Sequence, residues 1–149
     1  EIIEKLTLRA QDQGLELFYN IDADIPNNII GDKARINQFI SLLTENSLLI
    51  TNLTNRINES SGGKINLELK QLPDSKNLFR ISVVDNSIPF KSSNLREVHQ
   101  YYSYYNDMVP YAGLKLKIIA GLAEIIGSKL EFESTDRNSF YIDLKYECL

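Results

Sequence analysis

Three features stand where a plain hydrophobic core has no use for them. Asn46 lies one turn from both Leu43 and Ile50, at the edge of an apolar helix face. Asp85 ends the alternating run Leu78–Asp85, whose parity puts Phe79, Ile81, Val83 and Asp85 on one side. A carboxylate aimed the way the apolar residues point needs a partner. Gly113 opens a long apolar helix after an irregular stretch. Helix N-termini bind phosphates because free N–H groups and the helix dipole converge there. Each feature also has an ordinary reading. Asn46 suits a hydrogen-bonded boundary amide, Asp85 an Asx cap before Asn86-Ser87, and Gly113 an N-terminal spacer. The functional reading rests on their joint order and spacing.

The elements that must position these residues follow from hydrophobic period and punctuation. Ile2, Ile3, Leu6 and Ala10 predict a helix over 1–13, stopped by Gly14. Leu15 to Ile21 reads as a strand, and Asp24-Ile25-Pro26-Asn27-Asn28 as a turn. Asp32 is a good N-cap for a helix over 33–50, with Ile36, Phe39, Ile40, Leu43, Ser47 and Ile50 on one face. The polar stretch 51–61 suits an extension of that helix or a loop, ended by Gly62-Gly63. Lys64–Lys70 and Leu78–Val84 predict a hairpin across a turn holding Pro73 and Asp74. Residues 86–112 have no clear period and read as a long loop, which in a compact domain is functional or mobile. The next helix covers 113–126, with Leu114, Ile118, Ile119, Leu122, Ile125 and Ile126 on one side and Gly127 as its stop. Lys129–Ser134 and Ser139–Tyr146 alternate as strands across the turn Thr135–Asn138. This order predicts an α+β, two-layer sandwich, a mixed β-sheet packed against α-helices, in a single domain 1–149.

Bulk properties narrow the function classes. The 149 residues, 43% hydrophobic, suffice for one core without a metal or disulfide staple. A net charge of −4 with no basic cluster argues against nucleic acid and against direct contact with an anionic membrane. The single cysteine, Cys148, makes no internal disulfide and fits a cytoplasmic location. No run approaches the length of a membrane span. The chain begins without Met and in a helical pattern, as expected for a segment of something longer.

Four blocks in register carry a family resemblance. Asp24-Ile25-Pro26 with Gly31-Asp32-Lys33-Ala34-Arg35-Ile36-Asn37-Gln38 is similar to the motif D-x-P … G-D-x-x-R-L-x-Q. Leu42-Leu43-Thr44-Glu45-Asn46-Ser47-Leu48-Leu49-Ile50-Thr51 resembles N-L-L-x-N-A-x-K-F-T. Val83-Val84-Asp85-Asn86-Ser87-Ile88-Pro89-Phe90 resembles V-x-D-T-G-x-G-I. Tyr111-Ala112-Gly113-Leu114-Lys115-Leu116-Lys117-Ile118-Ile119 resembles G-T-G-L-G-L-A-I-V. These are the motifs of the ATP-binding catalytic domain of two-component sensor and hybrid histidine kinases, in the GHKL superfamily with its Bergerat fold. The resemblance implies a cytoplasmic signalling domain that binds ATP or ADP with Mg²⁺. It implies Asn46 as magnesium ligand, Asp85 as acceptor for the adenine amino group, Gly113 in the phosphate-cradling loop, a motif-bearing helix at about 33–50 and a lid over about 89–112. The implied partners are the dimerisation or histidine phosphotransfer domain of the same protein and a response-regulator receiver. The helices that dimerise such kinases are not in this sequence, so an isolated monomer is expected.

The departures from the motifs bear on activity. Leu42 replaces a polar residue, an Asn in the kinases and a general-base Glu in gyrase-like ATPases, which speaks against the latter. Leu49 replaces a lysine that approaches the phosphates, removing a charge-assisted contact. Ser87 and Pro89 replace glycines, and Pro89 also lacks an N–H donor. Tyr111 and Lys115 replace two of three lid glycines. Lys115 suits either a phosphate partner or a tethered cation in the phosphate site. Phosphoryl transfer relies on positioning and charge stabilisation. The resemblance with these departures therefore predicts that nucleotide binding and phosphoryl transfer are weak or lost, with no residue assigned as catalytic. The alternative is a pseudokinase that keeps the fold as an interaction module for a response regulator, a phosphotransfer domain or a partner kinase. Tyr101, Tyr102, Tyr104, Tyr105 and Tyr111 crowd the lid region. They suit packing onto the core, plugging of the nucleotide pocket, or a partner surface.

Overall fold

The computed structural model describes residues 2–22, 29–30, 33–73, 77–86, 95–145 and 147–148. The expected turn Asp24-Ile25-Pro26-Asn27-Asn28, the helix start at Gly31-Asp32, Asp74, Ser87, Pro89 and the first part of the lid, 89–94, lie outside the described residues.

Helix α1 (Ile2–Asp12) leads into strand β1 (Glu16–Ile21), and β2 (Ile29–Ile30) precedes helix α2 (Lys33–Asn58). Strands β3 (Lys64–Gln71) and β4 (Leu78–Asp85) form the expected hairpin. Helices α3 (Leu95–Tyr104) and α4 (Ala112–Ile125) follow, then β5 (Glu131–Ser134), β6 (Asn138–Lys145) and β7 (Glu147–Cys148). Five strands make one mixed sheet in the order β1-β3-β4-β6-β5, while β2 pairs with β7. β1 runs parallel to β3, because α2 carries the chain back to the starting end of the sheet.

The sheet turns one face to the helices. Along β4 and β6 the pairs Phe79–Leu144, Ile81–Ile142 and Val83–Phe140 are buried side by side. Asp85 opposite Asn138 ends the same row, and both are fully buried. The other face is more polar. There Arg80 makes two hydrogen bonds to Asp143, at 2.7 and 3.0 Å, and lies 4.0 Å from the ring centre of Tyr141. Helices therefore cover one side only, in the expected two layers.

Three expectations are settled or changed by the helices. The polar stretch 51–61 extends α2 as far as Asn58, with Leu53 and Thr54 buried. The stretch 86–112 is not a loop throughout: α3 occupies its centre, burying Val98 and Tyr102 one turn apart. Tyrosines and serines in place of aliphatic residues mask its helical period. On α4 the buried residues are Ala112, Leu116, Ile119, Leu122 and Ala123. Leu114, Ile118 and Ile125, expected in the core, are instead exposed. The helix has two apolar faces separated by Lys115, Lys117 and Glu124, and small alanines permit the close approach to its neighbours that the larger aliphatic side would prevent.

Candidate functional site

Asp85 ends β4, Gly113 and Lys115 lie in the first turn of α4, and Asn46 lies in the middle of α2. Asn46 is on α2 between the buried Leu43 and Ile50 and is itself buried. Its side-chain Oδ1 accepts a 2.7 Å hydrogen bond from the hydroxyl of Tyr102 on α3. Tyr102 is 1% exposed. Burial first, and the nearby Asp85 carboxylate second, hold its phenol neutral far above the usual tyrosine range; the bond to Asn46 acts weakly the other way. Tyr102 thus meets the buried polar group of α2, and the carboxylate that ends β4's apolar row acts on it electrostatically.

Asp85 finds the partner that its position demands. Asn138 Nδ2 donates to Asp85 Oδ1 at 3.3 Å, and Ser134 Oγ donates to Asn138 Oδ1 at 2.8 Å. Ser134, Asn138 and Asp85 form a buried polar chain across three strands. The next residue, Asn86, clasps β3. Its side chain accepts from the Lys64 N–H at 2.8 Å, and its own N–H donates to the Lys64 carbonyl at 3.2 Å. Sequence reasoning placed Asn138 in a turn and missed this role. The available signal was its parity with Phe140 and Ile142 along β6.

Gly113 lies in the first turn of α4, after Tyr111, whose φ of 68° is left-handed. A Cβ on Gly113 would meet the His99 ring of α3 at 3.1 Å. This glycine therefore faces a side chain of the lid region at van der Waals range. His99, a residue without evident context in the sequence, packs here, and its Nε2 is buried with no hydrogen-bond partner among the described residues.

Lys115 is exposed, and its N–H bonds the Tyr111 carbonyl at 2.8 Å within the first turn. With Leu42, Glu45, Asn46, Leu49 and Ile119 it lines a cavity of about 40 Å³. Asn46 and Lys115 thus share one small space, while Asp85 and Gly113 are reached through Tyr102 and His99 of α3. Leu42 and Leu49 line the same space with methyl groups. Glu45 forms an ion pair with Arg9 of α1, so its carboxylate is turned toward that helix, as its position three residues from Leu42 implies. A larger groove of about 490 Å³ opens on the other flank of α4. Leu116, Ala120 and Leu130 contribute apolar surface to it, and Lys117, His99 and Ser103 contribute polar groups; no sequence motif marked it.

Among the described residues, the space beside Asn46 is small for a nucleotide with magnesium. A pocket for a ligand of that size runs to about 300 Å³ or more, and the space beside Asn46 is about 40 Å³. Tyr102 is buried against Asn46, with the Asp85 carboxylate near enough to raise the pKa of its phenol.

No protein-family model matches the chain. The signal transduction histidine-protein kinase BarA of Escherichia coli (strain K12) is 27% identical over 138 residues, covering 90% of this chain and 14% of that protein. Hybrid signal transduction histidine kinase L of Dictyostelium discoideum is 41% identical over 51 residues, 34% of this chain and 3% of that one. The chain therefore spans about one-seventh of the BarA kinase or less of such relatives. Among solved structures, full-length ShkA in complex with AMPPNP superposes with a TM-score of 0.72 at 18% identity, over 99% of this chain and 29% of that one. The mycobacterial sensor histidine kinase MprB gives 0.68 at 16% identity, over 99% of this chain and 91% of that one. The chain has the fold of histidine-kinase catalytic domains over nearly its whole length and is similar in sequence to a two-component kinase over nine-tenths of it.

Proposed function

We propose that this domain serves two-component signalling with its nucleotide site closed by its own lid helix, so that nucleotide binding and phosphoryl transfer are weak or lost. The observation that carries this reading is Tyr102, buried on α3 and bonded to Asn46, beside a remaining space of about 40 Å³. Asn46 is the residue that the family resemblance gives to magnesium, and Asp85 the one it gives to adenine. Each has a partner from within the chain, Tyr102 for Asn46 and Asn138 for Asp85. Leu42 and Leu49 offer nothing to a phosphate. Any nucleotide must first displace α3 and desolvate Asn46 again, which costs affinity in proportion to the stability of the closed state.

In this reading the domain works through proteins: the dimerisation or phosphotransfer domain of its own full-length protein, and a receiver domain. Its location is cytoplasmic, as for the kinases it resembles; no described helix is long and apolar enough to cross a membrane. Exposed Tyr104 and Tyr111, at either side of the lid's end, favour a protein contact there.

Thermal melts with millimolar Mg-ATP or Mg-ADP test the reading, because a ligand that binds only the folded state raises its melting temperature. No shift is expected for the native chain. Micromolar Mg-ATP affinity together with ATP-dependent phosphorylation of a histidine-bearing dimerisation domain overturns it.

A further inference from the structure

The groove of about 490 Å³ lies between α3 and α4, on the flank of α4 away from Asn46. Its floor is made by Leu116 and Leu130, core residues that are 3% and 2% exposed. Leu95 and Ala120, both half-buried, extend the apolar surface on either side. His99 lines it with a ring set in place by its contact with Gly113. The outward residues Leu114, Ile118 and Ile125 of α4 take no part in it. A space of this size is within the range of sites for small molecules.

Charge around the groove has one sign. Arg96 and Gln100 of α3 and Lys117 of α4 stand exposed at its rim. None of the described residues that line it is acidic, although the chain has 20 acidic residues against 16 basic ones. Lys117 has no ion pair among the described residues. A cationic rim over an apolar floor complements a molecule with one anionic end and an apolar body. Lysine and arginine both hold a carboxylate through charge-assisted hydrogen bonds. A single negative charge matches this rim, whereas a polyphosphate brings several charges and no apolar part for the floor.

We propose that this groove binds a small amphipathic carboxylate of the medium-chain fatty acid class, with its head at Lys117 and Arg96 and its chain on Leu116, Ala120 and Leu130. The site lies apart from the space beside Asn46 and goes beyond the nucleotide-site reading. Its occupant touches both α3 and α4 and therefore holds the one against the other. That this strengthens the closed lid rests on the reading of α3 as the closing element; the binding itself does not.

Titration of the 149-residue chain with decanoate below its micelle concentration, read by calorimetry and methyl NMR, tests the proposal without any nucleotide. Saturable binding is expected, with shifts at the methyls of Leu116, Ala120 and Leu130 and none at Leu114 or Ile118. Decyltrimethylammonium has the same chain and the opposite charge, and should bind about tenfold more weakly. Lys117→Glu weakens decanoate binding about tenfold and narrows the gap between the two probes. Ala120→Trp fills the groove and abolishes binding, with an unchanged thermal melt as the control for folding. Gln100→Trp, at an exposed position, obstructs the groove from its rim and keeps the test if Ala120→Trp fails to fold. No saturable binding at millimolar decanoate overturns the proposal. So do equal affinities for the two probes, or shifts confined to Leu114 and Ile118. Tight Mg-ATP binding would overturn the nucleotide-site reading and leave these outcomes as they stand.

Discussion

The hydroxyl of Tyr102 donates a 2.7 Å hydrogen bond to Oδ1 of Asn46 in the interior of the domain, across a sequence separation of 56 residues. One side chain of the lid region thereby anchors α3 to α2 at the residue on which metal binding depends in the family it resembles. The bond also satisfies the polar group that first marked Asn46 as out of place on an apolar face. Its companion atom, Asn46 Nδ2, is buried with no hydrogen-bond partner among the described residues.

Removing that bond has a defined cost. Tyr102→Phe keeps the ring and leaves Asn46 Oδ1 unsatisfied, an expected loss of about 1–3 kcal/mol. Tyr102→Ala also empties a buried aromatic site and is expected to lose about 3–5 kcal/mol. Urea melts of the two variants and the parent measure both. A Phe variant as stable as the parent contradicts an anchoring role for the hydroxyl.

Alkaline pH should loosen the same contact. The folded state holds the Tyr102 phenol neutral well above its ordinary range, chiefly by burial and then through Asp85. The unfolded chain releases that proton at about pH 10. Above that pH the folded form binds more protons than the unfolded, so stability falls as pH rises and is fully present below about pH 10. Tyr101 and Tyr141 are raised too, mainly by burial, and act in the same direction. Comparing the alkaline slope of the parent with that of Tyr102→Phe isolates the buried group, and the variant should show the shallower slope.

Asn138→Ala strikes the other end of the site. It removes the donor that faces the fully buried Asp85 and the acceptor of the Ser134 hydroxyl. A hydrogen bond to a charged group contributes about 1.5–3 kcal/mol, and a stranded buried partner adds to the loss. The melting temperature should fall by about 2–4 °C for each kcal/mol. Ser134→Ala, which leaves the Asn138 bond to Asp85 in place, should cost less, and the reverse ranking contradicts this account.

Much of the fold was legible because its signals are local. The α2 face from Phe39 to Ile50 and the Phe79–Asp85 parity of β4 follow from period alone, and both are buried as read. Helix α3 was not legible, because its buried positions hold a valine and a tyrosine among polar neighbours. The core side of α4 was misread for the opposite reason: that helix has two apolar faces, and period cannot choose between them.

By itself the sequence determined helices α1, α2 and α4 and the strands of the main sheet in order, the polar residues set among apolar faces, and the loss of glycine, lysine and polar groups from the motifs it resembles. These depend on residue type and on neighbours a few positions away. Only the tertiary structure decided what covers Asn46. Tyr102 is 56 residues from Asn46 in sequence, and only the packing of α3 on α4 brings its hydroxyl to α2. It likewise decided that Asp85 meets Asn138, a pairing set by strand register, and that Leu114 and Ile118 face outward, a choice made by the neighbours of α4 rather than by α4.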